Sequence, residues 1–244
     1  MLNPHQPLDP STPDPPSHLW VSPRHLAGDD DAPTDLTGAA LTSAGWRMWP
    51  TARQTLLHVS PDDLCGAEWV RASFPFELGG LPVAWQITAR SHPASAMREW
   101  NAYFTAGTPP EAIVDFLLAL DARAEPHAPS GGPETVLDAL TGQGWYRDID
   151  RPRTTATDPG LTATVSLESV PQHVFDADPR PDLPGWQAWA EPTLGTPLWC
   201  ATFSSSTPHD LVAAFAASLA SPVPVRRKLL PEGTEGHLTL LPPI

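Results

Sequence analysis

Several things are scarce in this chain of 244 residues, and each scarcity removes a class of function. Two cysteines, Cys65 and Cys200, stand far apart in a long sequence, so neither a disulfide framework nor a Cys-x-x-Cys metal site is expected. The nine histidines form no His-x-His or His-x-x-x-His pair, which leaves a local metal centre unsupported. Glycine-rich phosphate loops are absent, since Gly79-Gly80 reads as a hairpin turn. Apolar runs fall short of the roughly 18 residues that signal a membrane span. No basic segment followed by an apolar core is read near Met1, and a cytoplasmic, reducing location is the expectation. Lysine is nearly missing: Lys228 stands beside thirteen arginines, an imbalance that reads, with the alanine and proline excess, as GC-rich coding.

Charge is also lopsided. The net charge is −14, made of −5 over residues 1–35, −2 over 36–123 and −7 over 124–244. An acidic surface opposes nucleic-acid phosphates, although the near-neutral 36–123 stretch relaxes that objection locally. Residues 1–18 are Pro-rich and are expected to be disordered.

What is present is a repeat. Trp100-Asn-Ala-Tyr-Phe104 followed by Thr108-Pro-Pro-Glu111 returns as Trp199-Cys-Ala-Thr-Phe203 followed by Thr207-Pro-His-Asp210, an offset of 99 residues. Trp46/Trp145 and Phe116/Phe215 keep the same offset. Trp85-Gln-Ile-Thr-Ala89 matches Trp186-Gln-Ala-Trp-Ala190 at an offset of 101. Alternation predicts strands at Trp46–Trp49, Thr55–Ser60, Trp69–Phe76, Val83–Arg90 and Glu99–Thr105, joined by turns such as Ser60-Pro-Asp-Asp63. A helix follows at 109–121, with Thr108 as its expected cap, Glu111 completing a capping box, and Ile113, Phe116, Leu117 and Leu120 on one face. Thr207 is the corresponding cap of the later helix. The expected fold class is α+β. Its organisation is a first repeat at 19–123, a linker at 124–133, a second repeat at 134–224 and a tail at 225–244. Each repeat is an antiparallel sheet of four or five strands with a short helix before it and a longer helix after it, and the two sheets associate through a shared surface.

Three features resemble the SPDY domain, a family of unknown function found in tandem copies in high-GC filamentous bacteria. They are Trp20-Val-Ser-Pro-Arg-His-Leu-Ala-Gly28, the Ser60-Pro61-Asp62 turn, and the Trp-x-Ala-x-Phe to Thr-Pro signature in both halves. Asp63 departs from the family pattern, and Ser166-Leu-Glu-Ser169 stands where a second Ser-Pro-Asp is sought. The resemblance spans about residues 19–225 and implies a fold without an activity.

No enzyme signature emerges. Asp62, Asp63 and Glu68 near Cys65 read as a solvated turn, and His209 as a helix-start residue; a hydrolase working through Asp62 or His58 is a distant reading. No cofactor is expected. If Trp100, Ala102 and Phe104 face the core, the opposite face of the first sheet carries Arg47, Trp49, Trp69, Arg71, Arg90 and Tyr103. In the second repeat Tyr146, Trp189, Cys200 and Thr202 take that side. Arginine interleaved with aromatics suits stacking recognition of single strands, and the duplicated layout resembles the Whirly family, which binds single-stranded DNA. The simpler reading packs this face against the other repeat, with arginine stems over the rings. The expectation is a non-catalytic binding or adaptor module, with a protein partner or single-stranded nucleic acid as its ligand.

Overall fold

The computed structural model describes residues 18–30, 33–70, 76–168 and 184–241. The predicted disordered stretch, apart from His18, and Arg71 lie outside them. In chain order the strands and helices are β1 (Leu19–Ser22), α1 (Pro33–Ser43), β2 (Arg47–Pro50), β3 (Leu56–Val59), β4 (Cys65–Trp69), β5 (Glu77–Leu78), β6 (Leu81–Ala89), β7 (Trp100–Thr105) and α2 (Pro110–Asp121). They continue with α3 (Pro133–Thr141), β8 (Tyr146–Arg147), β9 (Thr155–Thr157), β10 (Ala163–Glu168), β11 (Gly185–Ala190), β12 (Trp199–Ser204), α4 (His209–Leu219), β13 (Val225–Arg227) and β14 (Thr239–Leu241).

The chain is α+β, with antiparallel sheets. Where two associated sheets were expected there is one continuous path, β2-β3-β4-β6-β7-β12-β11-β10-β9-β8, with β5 beside β6. Its seam is β7 against β12, paired antiparallel with Ala201 opposite Phe104, Thr202 opposite Tyr103 and Phe203 opposite Ala102. The two signature strands are therefore direct neighbours, because their polar backbones find partners in each other and leave no central edge exposed. Helices pack in the order α1-α2-α4-α3.

Alternation puts Trp100, Ala102 and Phe104 of β7 under these helices, together with Ala201 and Phe203 of β12. All five are buried. At the seam Phe104, Phe116, Phe203 and Phe215 meet, with ring centroids 5.2–5.7 Å apart. These are the residues that the 99-residue offset pairs; Phe104 packs against its counterpart Phe203, and each helix ring packs against both strand rings. One hydrophobic cluster consequently runs through both halves.

Several local expectations change. The third strand is Cys65–Trp69 rather than Trp69–Phe76. Ser60 Oγ accepts from Cys65 N at 2.9 Å, and Asp62 Oδ1 accepts from Leu64 N at 3.0 Å. That turn closes early and sends the chain back as strand from residue 65. Its counterpart is Asp158-Pro-Gly-Leu161, not Ser166–Ser169. Both turns close by an N–H to carbonyl bond across four residues, Asp63 to Ser60 and Leu161 to Asp158. Their last residues share a left-handed conformation, at φ 62° and 57°.

The helix starts are not capped as expected either. The N-cap positions of α2 and α4 are Pro109 and Pro208, with no side-chain cap. Thr108 Oγ1 instead donates back to Thr105 O at 2.8 Å, closing the turn before the helix. Thr207 Oγ1 lies 3.4 Å from Asn101 O across the seam. Glu111 belongs to no capping box; it accepts two bonds of 2.7 Å from Arg227. Arg227 is buried, and its Nε donates to Ala27 O and Gly28 O.

The expected linker and tail are docked. Trp100 Nε1 donates to Pro126 O at 3.1 Å, and His209 N donates to Ser130 O at 3.0 Å. The tail supplies both partners of β1, in a separate sheet ordered β13-β1-β14. The segment after β1 crosses to the second half. Arg24 Nη1 donates to Ser218 Oγ at 2.7 Å, and the His25 carbonyl accepts from Trp199 Nε1 at 2.8 Å. The buried His25 ring lies edge-on to Trp145 and 3.5 Å from Asp158 Oδ2.

Burial alone would raise the Asp158 pKa. The His25 ring, by hydrogen bond and attraction, and the N–H groups of Ala163 and Gly160 outweigh it and hold the carboxyl at about 2.

Two outcomes follow from this packing. Phe104→Ala opens the centre of the seam and is expected to cost about 3–5 kcal/mol, read as a lowered urea midpoint; a loss under about 1 kcal/mol would show that the cluster does not hold the halves together. Asp158 has a folded pKa below its unfolded value, so its contribution is present above the unfolded value and is lost as pH falls toward about 2. Acid titration of stability should show a loss of about 2 kcal/mol in that window, absent in Asp158→Asn.

Candidate binding face

The face of the sheet opposite the helices carries side chains in the alternate register. Among the described strand residues it is largely polar, with Gln86, Thr88, Asn101, Tyr103 and Thr105 in the first half and Thr155, Thr164, Ser166, Gln187 and Thr202 in the second, beside the apolar Trp49, Leu57, Val59 and Trp189. Helix-facing positions are dominated by Ala, Val, Ile, Trp and Phe. A sheet with one covered face reads in this alternating way.

Of the six face residues expected from sequence, Arg47 and Trp49 stand outward on β2. Trp49 is 41% exposed, with the Arg47 guanidinium 5.9 Å from its ring centre. Arg47 also pairs with Asp63. Arg90 is outward, and its Nη1 donates to the carbonyls of Pro93 and Ser95 at 3.3 and 3.4 Å. Tyr103 is outward and half-buried, covered by Phe76 with ring centroids 5.0 Å apart. Burial pushes its hydroxyl pKa up, against the pull of Arg98.

Trp69 is a correction. It pairs with Trp85 and packs against the core on the helix side. Starting the strand at Cys65 puts the odd-numbered residues of β4 inward, and Trp69 goes with them. Arg71 falls outside the described residues. The structure thus brings Arg47 and Trp49 together at one edge and holds Arg90 and Tyr103 farther in, and the described residues do not form a continuous aromatic platform.

The centre of this face is covered by the chain's own β5 hairpin. Val83 N donates to Phe76 O at 2.9 Å, and the hairpin tip lies over β12. A Cβ on Gly79 would sit 2.9 Å from Cys200 Sγ, and its φ of +59° is left-handed, so glycine answers both demands.

Over β3, β4 and β6 lies a pocket of about 110 Å³, lined by Leu57, Val59, Gly66, Glu68, Gln86, Thr88, Arg90 and Arg98 among others. Strand register arranges it in rows. Glu68 faces Gln86, Gly66 faces Thr88, and Arg90 lies one step beyond, its N–H bonded to Leu64 O. Leu57 and Val59 of β3 flank Glu68 and Gly66. Thr55 Oγ1 donates to Glu68 Oε1. Arg98 has no hydrogen bond or ion pair among the described residues.

Sequence reasoning placed Arg90 on this side but missed Gly66 and Arg98. The signal for Gly66 was the Ser-Pro-Asp-Asp turn, which sets where β4 begins. Arg98 sits in the loop at 90–99, where no periodicity reports direction.

The groups named for a hydrolase do not converge. His58 faces the helices, is 2% exposed, and finds no partner for either ring nitrogen among the described residues; burial lowers its pKa. Asp62 is engaged in its own turn, accepting from Ser60 Oγ as well as Leu64 N. Burial pushes the Cys65 thiol up to about 12 and the Cys200 thiol up to about 11. Among the described residues no helix is long and apolar enough to cross a membrane, and no group of three or more His, Cys, Asp or Glu could hold a metal ion.

Thiolate is the reactive form, so both cysteines are expected to react slowly with an aromatic disulfide reagent at mildly alkaline pH while folded, and rapidly in denaturant. A thiol that reacts at the free-cysteine rate in the native protein would overturn their placement.

Comparison with known proteins gives one match. No curated protein and no solved structure matches the chain. A family model does, over residues 59–127 and 171–225, which together make just over half of the chain. The first segment starts at the end of β3 and runs past α2; the second includes β11, β12 and α4 and reaches β13. These segments hold both copies of the Trp-to-Thr-Pro signature whose phenylalanines meet at the seam, and the chain belongs to the SPDY family, a domain of unknown function (DUF317).

Proposed function

We propose that the chain is a non-catalytic binding protein, formed from two SPDY copies that share one sheet, and that it takes its ligand on the helix-free face of the first half. The pocket over Gly66 carries this reading. It is concave, walled by Leu57 and Val59, and supplied with polar groups by Glu68, Gln86 and Thr88, the apolar wall and placed polar groups that orient a small ligand. Support for a non-catalytic role comes from Asp62, whose carboxylate is engaged in its own turn, and from the burial of His58 and Cys65 on the helix side, away from the proposed binding face.

Protein-observed NMR with a chemically varied fragment set tests the reading. Shifts are expected to gather on the amides of Leu57, Gly66, Gln86 and Thr88. Shifts confined to the helix layer, or scattered without pattern, would sink it.

A second reading, single-stranded nucleic acid on the same face, is favoured by the exposed Arg47–Trp49 pair. It is weakened by the inward Trp69, the covered Tyr103 and the net charge of −14. Binding of a labelled oligothymidine at low salt that collapses at physiological salt would favour it. The Whirly-like layout carries no argument about ligand.

A further inference from the structure

The two halves differ where the pocket lies. In the first half Gly66 pairs with Thr88; at the matching place in the second half Thr164 pairs with Trp189. The match is fixed by the strands themselves, since Ala67 faces Ile87 as Val165 faces Ala188. Outward side chains at these positions are therefore small in one half, while the other has an indole.

A Cβ on Gly66 would reach only ordinary contact, 3.5 Å from Thr88 Oγ1 and 3.7 Å from Leu57 Cδ1. The glycine keeps space open without being demanded by backbone geometry. A dry cavity of about 150 Å³ holds a benzene ring, so about 110 Å³ with an open mouth suits one six-membered ring.

Charge follows the same division. Arg90 is matched by Glu191 and Arg98 by Pro197, so the two cations beside the opening have no counterpart at the matched positions of the second half. Arg90 is anchored by loop carbonyls, whereas Arg98 is unpaired among the described residues and exposed. A guanidinium presents a planar fork of donors that fits a carboxylate. At the other end Glu68 has one oxygen engaged by Thr55 and lies opposite Gln86, so acceptors are available there.

Resting on the binding-face reading, we propose that this pocket takes a monocyclic aromatic carboxylate. Its ring lies over Gly66 and Thr88, where the second half carries Trp189. Its acid group meets Arg98 beside Arg90. A hydroxyl para to the acid donates toward Glu68 and Gln86.

The test is titration of the full chain with 4-hydroxybenzoate, followed by amide shifts of Gly66, Thr88 and Arg98. Saturable shifts at these amides are expected. Arg98→Ala, a surface change, should weaken binding about tenfold, the loss of one charge-assisted contact. The neutral 4-hydroxybenzamide should bind weaker by a similar factor, and benzoate should bind weaker than the hydroxylated acid. Gly66→Ala should weaken binding, and Thr88→Trp should abolish it. Should Thr88→Trp misfold, Gly66→Ala and Arg98→Ala still decide the question. Absence of saturable shifts in the folded wild-type chain overturns the proposal, as does binding that both of these variants leave unchanged. If other fragments perturb the face while 4-hydroxybenzoate does not, the ligand chemistry fails and the binding face stands. If nothing perturbs the face, both fail.

Discussion

The pairing of β7 with β12 is the constraint on which the rest of the molecule depends. Once these strands are neighbours, Phe104 and Phe203 share a face, and the helices that follow each strand bring Phe116 and Phe215 over them. Four large rings in edge and tilted contact exclude water from the join. The helices are then ordered as well, because α2 and α4 must lie side by side above the seam, leaving α1 and α3 to cover the flanks. Nothing in this arrangement asks for an interface between separate sheets. The join is made of core.

A seam of this kind restricts change on one face and tolerates it on the other. Trp85 and Trp186 are both fully buried under the helices, and Ala89 farther along the strand is matched by Ala190. Across the same strands, Thr88 is matched by Trp189 and Arg90 by Glu191. Side chains packed among helices are held by volume, since added or removed methylenes are costly there. Those on the other face carry no such restriction, so the matched positions are alike under the helices and differ at Thr88/Trp189 and Arg90/Glu191 opposite them.

Much of this could be read from the chain. The 99-residue offset located the signature strands, and the alternation of Trp100, Ala102 and Phe104 gave the correct direction of β7. Pro109 and Pro208 marked the helix starts. Trp69 was misread because a period of two leaves a strand's phase open at its ends, and the side-chain bonds of Ser60 and Asp62 moved that end by several residues. Thr108 and Thr207 looked like caps because a hydroxyl before Pro fits the pattern, yet each hydroxyl is turned to a nearby carbonyl. Long-range partners left no local trace at all. Glu111 meets Arg227 across more than a hundred residues, and Arg98 reaches the pocket from a loop.

The attachment of both chain ends has a consequence for how the molecule can be divided. β1 lies between β13 and β14, so the first strand is built into a sheet made by the last residues. Arg24 and His25 are seated in the second half, while Arg227, from the end of the chain, is seated on α2 of the first. A cut at residues 124–133 would leave each fragment missing a strap that the other holds. Although the sequence reads as two units in a row, Arg24, His25 and Arg227 tie each half to the other across the fold.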